Sequence, residues 1–187
     1  MSRDTSQLPP THMRRSDRAV EDDAWIGSFL SEAPFGILAT ERDGQPFVNS
    51  NLFVYDGASR CIYIHTARTG RTRDNIEANN RVCFHVAAMG RLLPADVALE
   101  FSVEYEGVTL FGRATIIADR DEASYGLQHL LDKYFPHLKP GRDYRPIIEE
   151  ELSRTTVIRI DIEGITGKRK AADTGFPGAF LFGEMAG

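Results

Sequence analysis

GILATERDGQPFVNSNLFVYDGASRCIYIH, residues 36–65, is the stretch on which the fold turns. Gly36–Thr40 is a short apolar run, and Asp43-Gly44 after it is a strong hairpin signal. From Phe47 to Tyr55 the side chains alternate. Val48, Ser50, Leu52 and Val54 fall on one face, and Asn49, Asn51, Phe53 and Tyr55 on the other. Asp56-Gly57 repeats the turn signal, and Cys61–His65 alternates again, with Ile62 and Ile64 opposite Cys61, Tyr63 and His65. Three strands joined by two such turns predict an antiparallel meander.

Upstream, residues 22–33 predict a helix. Asp22 or Asp23 caps it, Ile26, Leu30 and Ala33 recur on one face, and Pro34 stops it. Residues 1–20 have no periodicity and predict a flexible arm. Downstream, Thr66–Asn80 holds an arginine-rich turn and a short helix, and Arg81–Ala87 alternates as a strand. Two strands over 98–106 and 108–118 are expected on either side of Gly107. Ala123, Leu127, Leu130, Leu131 and Tyr134 mark a helix over 121–134, and Ile158, Ile160 and Ile162 a strand over 156–163. The Gly-rich tail, 171–187, predicts a loose segment until something covers Phe176, Phe180, Leu181 and Phe182.

Six or seven antiparallel strands with two or three helices give an α+β, mainly β, fold, and the short meander strands favour a small barrel over an open sheet. At 187 residues the chain suits one domain, here 21–170, and its formal charge of −5 argues against nucleic acid or an anionic membrane as partner. No apolar run approaches the roughly 20 residues of a membrane helix, and Met1–Arg18 has no apolar signal core. Cytoplasm is the expected compartment.

Four features can carry chemistry. Arg68, Arg71 and Arg73 beside Gly70, at a strand-to-helix junction, suit a phosphate dianion, or else form a solvated basic loop. His65 ends a strand just before them and serves either as a ligand or proton donor or as a packed core residue. Asn49 and Asn51 alternate on a strand whose other face is apolar, where they read a heterocycle edge or face water. The aromatics Phe53, Tyr55, Tyr63, Phe101 and Tyr105 stack on a flat ring or fill a core. The serines lack a nucleophile elbow, the histidines form no close metal-ligand pair, and Gly70-Arg71-Thr72 lacks the lysine and upstream glycine of a P-loop. No metal site is expected.

Ile62-Tyr63-Ile64-His65-Thr66-Ala67 followed by Gly70-Arg71-Thr72 resembles the flavin-mononucleotide split barrels typified by pyridoxamine-phosphate oxidases. There the matching segment runs aromatic-Tyr-Thr-Asn, two residues, then Ser-Arg-Lys, and holds the flavin phosphate. On this resemblance His65 stands at the tyrosine position, Thr66 at the threonine, Arg71 at the arginine and Thr72 at the lysine, with Arg73 or Arg68 as replacement cation. The nitroimidazole-resistance branch is similar over roughly residues 13–170. The likeness runs through Met13-Arg14-Arg15, Gly36–Thr40, Asp43–Pro46, Phe101–Glu106, Phe111–Ala114 and Gly164–Arg169, with Gly107 where that signature has serine.

The resemblance implies a split β-barrel homodimer with FMN, or FAD, between two copies. The phosphate would lie at Thr66, Arg71, Thr72 and Arg73, and the ring across Val48, Asn49, Ser50, Asn51, Leu52 and Phe53, with Gly107 nearby. His65 is the candidate catalytic residue. The implied activity is transfer of electrons from NAD(P)H to a small electrophile such as a nitro-aromatic or quinone. A non-catalytic flavin carrier and a haem-binding split barrel are the alternatives.

Overall fold

The computed structural model describes residues 7–184 of the chain. Its elements are β1 (Ala19–Val20), α1 (Asp23–Glu32), β2 (Gly36–Arg42), β3 (Gln45–Asn51), β4 (Phe53–Asp56), β5 (Cys61–Ala67), α2 (Arg71–Ala78), β6 (Arg81–Leu93), β7 (Ser102–Ile116), α3 (Arg120–Tyr134), α4 (Glu149–Arg154) and β8 (Thr155–Lys170), with 3-10 turns at Ser16–Arg18 and Ala98–Glu100. The eight strands form one antiparallel sheet in the order β3-β2-β6-β7-β8-β5-β4, and β1 pairs with β8. No helix among the described residues is long and apolar enough to cross a membrane.

The Asp43-Gly44 turn is the tight hairpin the sequence predicts, with positive φ at both residues (54° and 80°), the combination that matches strand twist. The second turn is of another kind. Asp56 pairs with Cys61, so four residues bridge β4 to β5, and the Asp56 carboxylate accepts from the Ala58 and Ser59 amides.

The predicted Phe47–Tyr55 strand is interrupted at Leu52. β3 pairs with β2 at one end of the sheet and β4 with β5 at the other. A single residue therefore carries the chain between the two edges, which closes the sheet into a barrel and makes the meander a split one. Side-chain alternation survives the break. Phe53 is fully buried inside, whereas Val54 points outward and is buried under α3.

Two cores result. Leu38, Phe53, Ile62, Ile64, Phe84 and Leu110 fill the barrel, and Ile26 and Leu30 of α1 join them. Asp22 caps that helix by accepting from the Ala24 and Trp25 amides. Outside, α3 covers β4, β5 and β8 through Ala123 and Leu130 against Val54, Tyr63 and Val157.

The later strands are longer than the sequence predicts. Gly107 lies inside one continuous β7, paired with Ala87 and Lys168, so the expected pair of strands at 98–106 and 108–118 is a single one. β8 runs on past its expected end at Glu163 to Lys170, its register shifting near that residue. Gly107 is flanked on both sides by ladder partners, which hold it extended.

The tail is tied down at its start rather than loose. Arg91 donates to the carbonyls of Ala172, Asp173 and Thr174, and Phe180 exchanges two backbone hydrogen bonds with Leu92. At the other end, residues 1–6 of the predicted arm lie outside the described residues. Arg18 reaches Tyr105, and Ala19–Val20 join the sheet.

Candidate functional site

The start of α2 is open. Its N-cap, Gly70, has φ of 140° and supplies no side-chain cap, so the first-turn amides have no side-chain acceptor. Negative charge is favoured at such a terminus.

The three arginines beside it diverge. Arg73 turns back to Glu77 at 2.9 Å and donates to Thr156 Oγ1 at 3.1 Å, and Arg68 donates to the Ser153 carbonyl. Neither Arg68 nor Arg71 makes an ion pair among the described residues, and Arg71 alone of the three has no side-chain hydrogen bond there either; its guanidinium carbon lies 5.6 Å from the Phe47 ring centre. Arg71 borders a recess of about 560 Å³ that also touches Arg42, Gln45 and Asn75 and two carboxylates, Asp74 and the Arg42-paired Asp43. The cluster that looks like one triple-arginine pocket in sequence is thus one free cation and two committed ones.

Thr72 is buried, and its hydroxyl donates to Asn49 Oδ1 at 3.3 Å. Asn49 Nδ2 donates to Asn51 Oδ1, and Asn51 Nδ2 to the Asn49 carbonyl, each at 3.0 Å. The two asparagines are half-buried and hydrogen-bonded to each other. They stitch β3 to the start of α2. Below them Asn75 donates to Thr40 at 2.9 Å, a buried link that a lone asparagine in a helix gave no signal for.

The opposite face of β3 is bare. Val48 and Leu52 are 60% and 47% exposed, with exposed Ser50 between them, which leaves an apolar strip running from the Arg71 recess to the split at Leu52. Phe53, by contrast, cannot take part as the sequence suggests. Its ring is core, and both its amide and its carbonyl are engaged by the Tyr134 hydroxyl.

His65, opposite Val157 at the end of β5, is exposed at the mouth of a cleft of about 410 Å³ between β5, α3 and residues 135–151. Desolvation by the surrounding protein lowers its pKa, which disfavours the charged ring. Thr66, half-buried, faces Thr156 across the ladder, behind Arg73.

Gly107 is elsewhere. Three strand steps separate β7 from β3, about 14 Å at ordinary strand spacing. It lines a different cavity, of about 490 Å³, with His85, Tyr105 and, from the N-terminal segment, His12 and Met13. Between the two regions Ser50, Ile37, His85, Thr109 and Thr166 register across five strands as one lateral row. Among the described residues no group of three or more His, Cys, Asp or Glu side chains is arranged to hold a metal.

The sequence places this split barrel in a family. The profile described as pyridoxamine 5'-phosphate oxidase matches residues 22–169. The chain belongs to the pyridoxamine 5'-phosphate oxidase family. No curated protein matches it. Among solved structures it is similar to the flavocytochrome Anf3 from Azotobacter vinelandii, at 24% identity and a TM-score of 0.74 over 87% of this chain and 74% of that one. The FAD- and haem-binding protein from Mycobacterium smegmatis matches at 24% identity and 0.73, over 83% and 74% of the two chains. A 5-nitroimidazole antibiotic resistance protein from Bacteroides thetaiotaomicron matches at 20% identity and 0.67, over 81% and 86%. At these identities the likeness is one of fold.

Proposed function

We propose that the chain is a flavin-dependent oxidoreductase, working as a cytoplasmic homodimer, that takes electrons from NAD(P)H and passes them to a small electrophile such as a nitro-aromatic or quinone. One observation carries the reading: Arg71, free of any acidic partner among the described residues, stands at an uncapped helix start where the apolar strip Val48–Leu52 begins. The site has the two halves a flavin mononucleotide requires, an anion pocket and a flat apolar bed.

In this assignment Arg71 and the α2 amides bind the phosphate, and Thr72, locked onto Asn49, fixes β3 against that pocket. Val48, Ser50 and Leu52 bed the ring, whose cofactor supplies the electron-transfer chemistry. Gly107, on a distant strand, fits this scheme only as a contribution from a second copy packed on the row through Ile37 and His85. His65 stands at the Leu52 end, where its imidazole can donate or accept a hydrogen bond. FMN is the favoured flavin, and FAD would use the same anion pocket. The flavin- and haem-containing relatives of the same fold support a redox cofactor.

Haem is a second reading, favoured by the apolar cleft onto which His65 opens. An absorbance spectrum of the purified protein, followed by chromatography of what heat releases, tests both. Flavin bands at about one flavin per chain support the first reading, and an intense Soret band the second. Flavin without turnover on NAD(P)H and a panel of acceptors would make the protein a carrier. A colourless protein that takes up neither FMN nor FAD overturns the flavin assignment.

A further inference from the structure

The cleft beyond His65 is separate from the Arg71 recess and meets the β3 strip only at Leu52, and its lining points to a ligand class. Leu127, Leu131 and Phe135 of the α3 end, with Ile147 opposite and Leu52 at the inner edge, make most of its wall. Its polar groups are largely committed. The Arg145 guanidinium is paired with Glu151 at 2.9 Å, the Tyr144 hydroxyl accepts from Gln128 at 2.8 Å, and the Tyr134 hydroxyl is held on Phe53. Only His65 and Thr155, both lining the cleft, have side chains without a hydrogen-bond partner among the described residues. A cavity of about 410 Å³ falls in the range that small ligands occupy.

We infer that this cleft is the acceptor site, and that it takes an uncharged, flat, conjugated ring bearing an oxygen that His65 or Thr155 can hydrogen-bond, a quinone carbonyl or a nitro group, while rejecting phosphorylated or carboxylated substrates. The inference rests on the flavin reading for the meaning of "acceptor". Leu52 joins the two sites, since it ends the β3 strip and also lines the cleft. The one guanidinium lining the cleft, Arg145, is already paired with Glu151 at 2.9 Å, so an anion entering must compete with that carboxylate over an otherwise apolar wall. A neutral ring loses only the water over an apolar wall.

The test is calorimetric titration of the purified protein, with its flavin content read from absorbance on the same samples, using 1,4-naphthoquinone and 1,4-naphthoquinone-2-sulfonate. The neutral quinone binds at least tenfold more tightly than the sulfonate. Leu131→Glu removes quinone binding and leaves flavin content unchanged, whereas Leu131→Met keeps both. Glu151→Gln frees Arg145 while preserving a side-chain acceptor for the Ile148 amide, and raises sulfonate affinity about tenfold. Equal affinity for the two probes, no gain in Glu151→Gln, or haem isolated from the cleft overturns the inference. Quinone binding to a protein that holds no flavin upholds the site and defeats the flavin reading instead. A flavin-loaded protein that ignores the quinone does the reverse.

Discussion

The Tyr134 hydroxyl donates to the Phe53 carbonyl at 3.1 Å and accepts from the Phe53 amide at 3.0 Å. One phenol at the end of α3 thus satisfies both backbone groups of the residue at which the barrel splits. On the side away from β5 no strand can do so, because β4 is the edge of the sheet once β3 and β4 part company at Leu52. A buried backbone pair left without partners is expensive, and the phenol removes that cost. Tyr134→Phe should therefore lose about 1–3 kcal/mol of stability in chemical denaturation. A variant as stable as the parent would mean that water takes over the role.

Arg71→Ala should weaken flavin binding by about 1.5–3 kcal/mol, the scale of a hydrogen bond to a charged group. Arg73→Ala, whose guanidinium already serves Glu77 and Thr156, should affect folding more than affinity. Fluorescence titration of apoprotein with FMN decides between them. Equal losses for the two would restore the single triple-arginine pocket that the sequence suggests.

His65 offers a titration. Its pKa lies below the ordinary 6.5 because the protein around it disfavours the charged ring. Acidification should therefore perturb the flavin spectrum, with a midpoint below 6.5, and His65→Ala should abolish that transition while unfolding no more readily than the parent. A transition that persists in the variant belongs to another group.

Arg91 holds the Glu104 carboxyl down at about 2, against 4.5 unpaired, and Glu104 also accepts from the Ala172 amide. A depressed carboxyl pKa stabilises the fold fully above 4.5, and that contribution fades as pH falls toward 2. Glu104→Gln should flatten this acid limb of the stability curve and loosen the tail from residue 172 onward. Amide exchange at Ala172 as a function of pH measures both.

The sequence makes the barrel strands legible where one face is apolar. Ile62 and Ile64, Val82 and Phe84, and Ile158 and Ile160 alternate in the structure as they do on the page. It misleads where cross-strand partners rather than local preference hold the backbone. Gly107 reads as a break and 163 as the end of the last strand, yet Gly107 and residues 164–170 are all strand. The candidate site divides along the same line. The anion pocket is visible because charge and glycine are local signals. That Arg68 and Arg73 are committed, that Asn49 and Asn51 are internal struts, and that Phe53 is core are facts of tertiary pairing, invisible to spacing. Tyr134 lies 81 positions from Phe53, and no periodicity connects the two.

β8 lies between β7 and β5, and among the described residues it is the only strand through which the β4–β5 hairpin joins the rest of the sheet. On a ribosome, then, β2, β3, β6 and β7 can assemble as a curved half-sheet while β4–β5 waits with one edge unpaired. Only when residues 155–170 emerge can the two parts be bridged. Until that moment the newborn chain exposes two strand edges at once, and a helper that shields edges would be needed most in that interval.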